Sequence, residues 1–324
     1  MRQQPRVLAK TISIGVMALL AGGIHGQDYP SKPIRIVTSE PGGGLDFASR
    51  VIAHGITGAL GQAIIIENRG GAGGVIAIET VARAQPDGYT LLVFGSTIWL
   101  VPFLREKVNY DPVRDFAPVT LAVSSPNIVV VNPSVPATSI KELIALAKAK
   151  PGELNYGSGA LGASSHLSVE LFKSMAGVNF VRVPYKGTGP ALIGLSAGQV
   201  QVMFGTTGGS VPLIKAGKIR ALAVTSSKPS ALFPDLPTVS ASGLPGYESA
   251  SLGTIFAPAK TPVARINRLN QEIKRYLFSP EAKDQLLKST VEPIASTPQE
   301  LAATMKSEMA RLGKLIKDAG IREE

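Results

Sequence analysis

The sequence predicts an α/β protein with mostly parallel sheets, divided into two domains. Three observations carry this prediction. Short apolar strands alternate with helical stretches along nearly the whole chain, the pattern that builds sheets with helices packed on them. Three of the apolar runs, at 34–37, 64–66 and 154–156, end in glycines and pass straight into a helical pattern. Finally, 324 residues exceed what one compact core usually holds.

Taken in order, the predicted strands lie at 34–37, 64–67, 90–94, 128–131, 154–156, 180–183, 200–204, 219–224 and 254–257, each a short run rich in Ile, Val, Leu or Phe. Between several of them lie helical patterns. The stretch 140–148 carries apolar Leu143, Ile144, Leu146 and Ala147, and 191–197 is similar. From Pro262 onward the pattern is helical, over 263–278, 281–287 and 298–319. Two segments read as crossings between domains: an extended run at 122–126 that continues into 127–131, and the Pro/Gly/Ser-rich stretch 234–253. The predicted division is 27–124 plus 250–324 as one discontinuous domain and 125–249 as the other. Two crossings at one waist are what a hinge needs.

Residues 1–26 read as a secretory signal. Arg2, Arg6 and Lys10 precede an apolar stretch at 12–21, and small residues follow. The apolar part has about half the ~20 residues a membrane span requires. The expected location is therefore the periplasm. The chain has no cysteine, which excludes a lipoprotein anchor, disulfides and thiolate metal sites. Of the formal charge of +10, three positives sit in the signal segment and the rest are scattered. Without a basic run or interleaved aromatics, nucleic acid is not an expected partner. A diffuse positive field modestly favours small anions or serves solubility alone.

The glycine turns carry the chemistry. A strand–glycine–helix turn aims free N–H groups and the positive end of a helix dipole at one spot, which suits a carboxylate or phosphate. The first is Pro41-Gly42-Gly43-Gly44-Leu45-Asp46, where Asp46 is positioned to cap a helix beginning at Phe47. The third runs from Gly157 to His166, with Ser164 and Ser165 as caps and Ser158 offering a hydroxyl. Because these two lie in different predicted domains, they can face each other across a cleft. The middle turn, 70–74, has a structural or rim role. None matches a nucleotide-binding fingerprint.

Catalytic signals are weaker. Gly194-Leu195-Ser196-Ala197-Gly198 has the spacing of a nucleophile elbow, but it lies in a helix that precedes a strand, the reverse of the required order. Gly198 reads instead as the left-handed residue ending that helix. His166 beside Ser164 and Ser165 has no orienting acid and reads as a capping or packing residue. No His/Asp/Glu cluster has metal-ligand spacing, and no cofactor is expected.

With these residues in place, the chain resembles the Bug-type (TctC-like) solute-binding proteins of tripartite tricarboxylate transport systems. The resemblance runs from about Tyr29 to the C-terminus. It rests on Tyr29-Pro30-Ser31-Lys32-Pro33, Pro41-Gly42-Gly43 with Asp46, Glu67-Asn68-Arg69, Pro86-Asp87-Gly88-Tyr89, Tyr110-Asp111-Pro112-Val113-Arg114-Asp115-Phe116, Val183-Pro184-Tyr185-Lys186-Gly187, Ala216-Gly217-Lys218-Ile219-Arg220 and Leu244-Pro245-Gly246-Tyr247. It implies a two-domain periplasmic-binding-protein ("Venus flytrap") fold, with a cleft between domains that closes on a small carboxylated solute. It also implies delivery to membrane permease subunits, or a sensing role, by a protein that is monomeric and not an enzyme. A secreted serine hydrolase is the competing class.

The ligand positions implied are Gly42, Gly43 and Asp46 facing Ser158, Ser164 and Ser165, joined by Ser96, Tyr185, Gly205, Thr206 and Glu40. Several are departures from the family pattern. Glu40 replaces a common Phe or other apolar residue, Leu45 a common Ser or Thr, Gly205 a common Asp, and Leu252 a common aromatic. Glu40 either faces the cleft, where it repels a second carboxylate, or points to solvent. Leu45 removes a donor. A monocarboxylate with a neutral, apolar or cationic remainder is therefore expected to bind better than a compact dicarboxylate or citrate. Trp99 and Phe103 either line the ligand's far end or simply pack a helix.

Overall fold

The computed structural model describes residues 29–39, 41–42, 44–71, 74–159 and 161–322. The predicted signal segment, Glu40 and Gly43 lie outside the described residues. The elements run β1 (Ile34–Thr38), α1 (Gly44–Leu60), β2 (Ile64–Asn68), α2 (Val75–Ala82), β3 (Thr90–Gly95), α3 (Thr97–Leu104), β4 (Phe116–Val131), α4 (Ile140–Ala149), β5 (Asn155–Ser158), α5 (Ser164–Ala176), β6 (Val181–Pro184), α6 (Thr188–Ser196), β7 (Val202–Thr206), α7 (Thr207–Lys215), β8 (Arg220–Val224), β9 (Ala250–Pro258), α8 (Val263–Leu277), α9 (Pro280–Lys288), β10 (Glu292–Pro293) and α10 (Pro298–Asp318).

The strands form one curled, mixed sheet in the order β2-β1-β3-β9-β4-β7-β5-β6, with β8 and β10 also pairing to β4. Pairing is parallel at the two flanks, β1–β2 and β1–β3 on one side and β5–β6 and β5–β7 on the other. Every pair involving β4 or β9 is antiparallel. The α/β class thus holds, with less parallel pairing than the alternation predicts. The reason is the long strand β4, whose first part pairs with β9 as far as Pro126 and whose last part, from Asn127, pairs with β7. Its beginning was hidden in the sequence by Pro118, which sits at a register shift where a missing N–H is tolerated.

Period-two alternation sorts the core. On β3, Leu92 and Phe94 join the layer under α2, α3 and α10, whereas Leu91 and Val93 join the layer under α1 and α8. A third cluster, with Ile128, Val130, Leu192 and Met203, lies under α6. In α8 the core face repeats as Ile266, Leu269, Ile273 and Leu277, the three- and four-residue spacing of an amphipathic helix. The result places the C-terminal ends of β1 and β3 opposite those of β5 and β7, with β4 and β9 running between.

Candidate solute-binding cleft

The first turn is held by its acid. α1 begins at Gly44, not after Asp46 as the capping pattern suggested, so Asp46 stands in the first helical turn and reaches backward. Its carboxylate accepts from the Gly42 N–H (3.0 Å), Arg50 Nε and Nη2 (3.1 Å each) and Asn68 Nδ2 (2.9 Å). Burial by itself raises the Asp46 pKa, but the bonds from Arg50, Asn68 and Gly42 outweigh it and hold the carboxyl below its ordinary range. Asp46 and the Gly42 N–H are therefore spent on building the turn. Gly42 itself has φ +78°, a conformation that favours glycine.

The third turn is likewise tied internally. Arg182 Nε donates to Ser158 Oγ (2.8 Å) and Arg182 Nη2 to the Gly159 carbonyl (3.0 Å), while the Gly159 N–H donates to Ser165 Oγ (3.3 Å). The Gly162 N–H donates to Nδ1 of buried His166 at 3.1 Å. Burial, reinforced by Arg182, lowers the His166 pKa to about 4, so the ring is a neutral acceptor that props the turn. Gly162 has φ +74°, and a Cβ there would stand 2.6 Å from Leu104 Cδ1 on α3. The turn thus reaches across to the other half of the sheet, and only glycine permits that approach.

Two cavities lie between the halves. The smaller, of about 250 Å³, brings together Ser39, Ser96, Thr97, Ser164, Ser249 and Ser251. The larger, of about 390 Å³, is bordered by Ser125, Asn127, Thr206, Ser251, Ser289 and Thr290. Among the described residues no charged side chain lines either one. Each cavity receives one helix N-terminus from each half: α3 and α5 open on the first, α1 and α7 on the second. No side chain caps α3, α5 or α7, which leaves their N–H groups and dipoles to act on whatever enters. Beneath the floor, Asn127 Nδ2 donates to Ser168 Oγ (2.9 Å), and Ser168 Oγ bonds Ser249 Oγ (2.7 Å). One buried chain therefore joins the walls of both cavities.

Of the residues anticipated from the sequence, Ser96 and Ser164 reach the first cavity and Thr206 the second. Gly42, Asp46, Ser158 and Ser165 shape the turns. Gly205 and Tyr185 are placed elsewhere. A Cβ on Gly205 would point into the α6–α7 packing, 2.4 Å from Ser210 Oγ and 3.2 Å from Leu192, so its side-chain direction is away from the cleft. The Tyr185 ring lies against Gly194, and its hydroxyl donates to Gln199 Oε1 (3.3 Å). Trp99 is fully buried, packs edge-on against Phe256 and donates to Glu308, while Phe103 packs against Gly313. Ser39, Thr97, Ser125, Asn127 and Thr290 were missed. Ser39 and Thr97 sit at element ends and Thr290 in a loop, where hydroxyls are too frequent to stand out, while Ser125 and Asn127 lie inside β4, at the point where its partner changes from β9 to β7.

Two other features bear on function. A cavity of about 760 Å³ lies behind the crossing strands, against Leu252, but three carboxylates there (Glu248, Glu292 and Glu308) face only Lys228 and Arg311, an unfavourable balance for an anion. Ser196 of the elbow-like motif sits at the end of α6 with its hydroxyl donating to the Ile193 carbonyl (2.8 Å), and Gly198 follows at φ +77°. That is a helix terminus, not a raised nucleophile.

The family model described as "Tripartite tricarboxylate transporter family receptor" matches residues 48–321. The chain belongs to that family. It is a family of solute-binding receptors, not of enzymes. Protein BugT of Bordetella pertussis is 33% identical over 315 residues, covering 95% of this chain and 97% of BugT. Among solved structures, "R. palustris Rpa4515 with adipate" is 38% identical with a TM-score of 0.75, over 91% of this chain and all of that one. "MatC (Rpa3494) from Rhodopseudomonas palustris with bound malate" is 31% identical with a TM-score of 0.69, over 89% of this chain and 100% of that one.

Proposed function

We propose that this family receptor is exported to the periplasm, captures a small carboxylate-bearing metabolite between the two halves of its sheet, and delivers it to the membrane subunits of a tripartite transporter. The hinge in this reading is where β4 and β9 cross, so that 27–124 plus 250–324 move as one body and 125–249 as the other, in a monomer. One observation carries the proposal: two adjoining cavities, both lined by hydroxyls and helix N-termini, with no charged side chain lining them among the described residues. Neutral, pre-oriented donors favour an anion without needing a buried counter-cation. Adipate on one relative and malate on another support a carboxylate as the solute class.

Isothermal titration of the purified protein against mono-, di- and tricarboxylates, with amino acids, sugars and amines as controls, tests this. Saturable one-to-one binding of a carboxylate is the expected result. Binding of an uncharged sugar or an amine in preference to every carboxylate would overturn it.

A further inference from the structure

Leu45 stands between the two cavities and lines both of them. Its position is made possible by a glycine beneath it. Gly95 at the end of β3 and Gly253 on β9 are direct partners across the antiparallel ladder. A Cβ on Gly253 would lie 2.9 Å from Leu45 Cδ2 and 2.5 Å from Val123 Cγ2, and one on Gly95 would lie 3.8 Å from Leu45 Cδ1. Gly253 thus opens a notch in the sheet, which the Leu45 side chain enters, while Gly95 opposite it would meet Leu45 only at ordinary contact distance. Glycine inside a strand weakens the strand and commonly marks a place where another group approaches closely. Here the approaching group is the isobutyl side chain from the first turn of α1.

On the reading of the cleft given above, we propose that Leu45 is a specificity-determining partition. It divides the cleft into two donor-lined chambers joined by an apolar saddle. A solute that fills both must place its hydrogen-bond acceptors at its ends and a run of methylenes in the middle. A linear carboxylate with an apolar centre meets that demand. A compact polycarboxylate does not, because its central hydroxyl or charged group would rest on Leu45 and lose hydration without gaining a donor. Specificity then comes less from what the chambers attract than from what the saddle refuses.

The test compares adipate with malate and citrate by titration calorimetry on the wild-type protein and on Leu45→Ser, Leu45→Thr and Leu45→Met, with melting temperatures recorded for each. Wild type is expected to favour adipate. Leu45→Ser or Leu45→Thr should reduce the adipate-to-malate affinity ratio by about tenfold, the scale on which a pocket discriminates one apolar group. Leu45→Met, similar in volume and apolarity, should keep the ratio. The threonine variant stands in if the serine variant does not fold. A ratio unchanged in the polar variants, or one lost equally in Leu45→Met, overturns the partition while leaving the carboxylate receptor intact. A wild-type protein that binds none of the three but binds a monocarboxylate of similar length refutes the two-chamber span. One that binds no carboxylate of any kind overturns the receptor reading, and the partition with it.

Discussion

Helix beginnings in this protein are closed in different ways, and those at the cavities compare instructively with those that carry side-chain caps. α4, α9 and α10 are closed by their own side chains: Ser139 accepts from the Glu142 N–H, Ser279 from the Ala282 N–H, and Thr297 forms a full capping box with Glu300. Of the helices that open on the two cavities, α3, α5 and α7 have no side-chain cap, while the first turn of α1 is held by Asp46. α5 has two serines at its start, yet Ser165 accepts from Gly159 and Ser164 lines the cavity. Donors left unmet at a helix end are a cost that capping would remove for about 1 kcal/mol per helix. A missing cap does not by itself mark the cleft, since α2, α6 and α8 also have no side-chain cap; what sets α3, α5 and α7 apart is that their open ends border the two cavities.

The largest expected effect concerns the support behind an uncapped end. His166 has its pKa lowered from 6.5 to about 4 by burial and by Arg182. The unfolded chain therefore binds a proton that the folded chain refuses, and stability falls as pH drops through that window. A loss of roughly 3 kcal/mol follows from the size of the shift. Chemical denaturation between pH 7 and pH 4 measures it, and His166→Gln, which keeps an acceptor for the Gly162 N–H but cannot titrate, should flatten the dependence. An equal slope in the variant would show that other groups control it.

Next in size is the open end itself. Ser164→Ala should weaken binding of the preferred carboxylate about 10- to 100-fold, as loss of a hydrogen bond to a charged group does, with little change in melting temperature. The smallest effect lies at the closed ends. Thr297→Ala should cost about 1 kcal/mol of stability and leave solute affinity where it was. If the two substitutions changed affinity and stability alike, the division between open and closed helix ends would not hold.

Much of the fold was readable from local pattern. The flanking parallel strands, α4, α6 and the helices after Pro262 emerge close to their predicted bounds, because periodicity and caps act over a few residues. The first half of β4 and the start of β9 did not, since prolines and serines there look like loop chemistry until a partner strand supplies the ladder. At the site, position and purpose separated. Residues of the first and third glycine turns border the two cavities, and Ser96, Ser164 and Thr206 line them. Asp46 and Ser158 were legible as functional residue types, yet their partners Arg50, Asn68 and Arg182 are brought in by the fold and commit them to holding the turns. The direction of a side chain from Gly205 depends on which face of β7 meets α6, and no local pattern encodes that.

The buried chain from Asn127 through Ser168 to Ser249 has a consequence for how this cleft can change over generations. All three residues are nearly or fully excluded from solvent, and Ser168 is shared by the other two. Removing the middle hydroxyl takes from the Asn127 amide and the Ser249 hydroxyl the partner they share, whereas replacing all three with apolar groups of matching shape removes that demand altogether. Drift at these positions is therefore a three-body problem. Descendants of this chain should keep the trio or abandon it together, and a lineage that abandons it frees the walls of the two chambers to diverge independently.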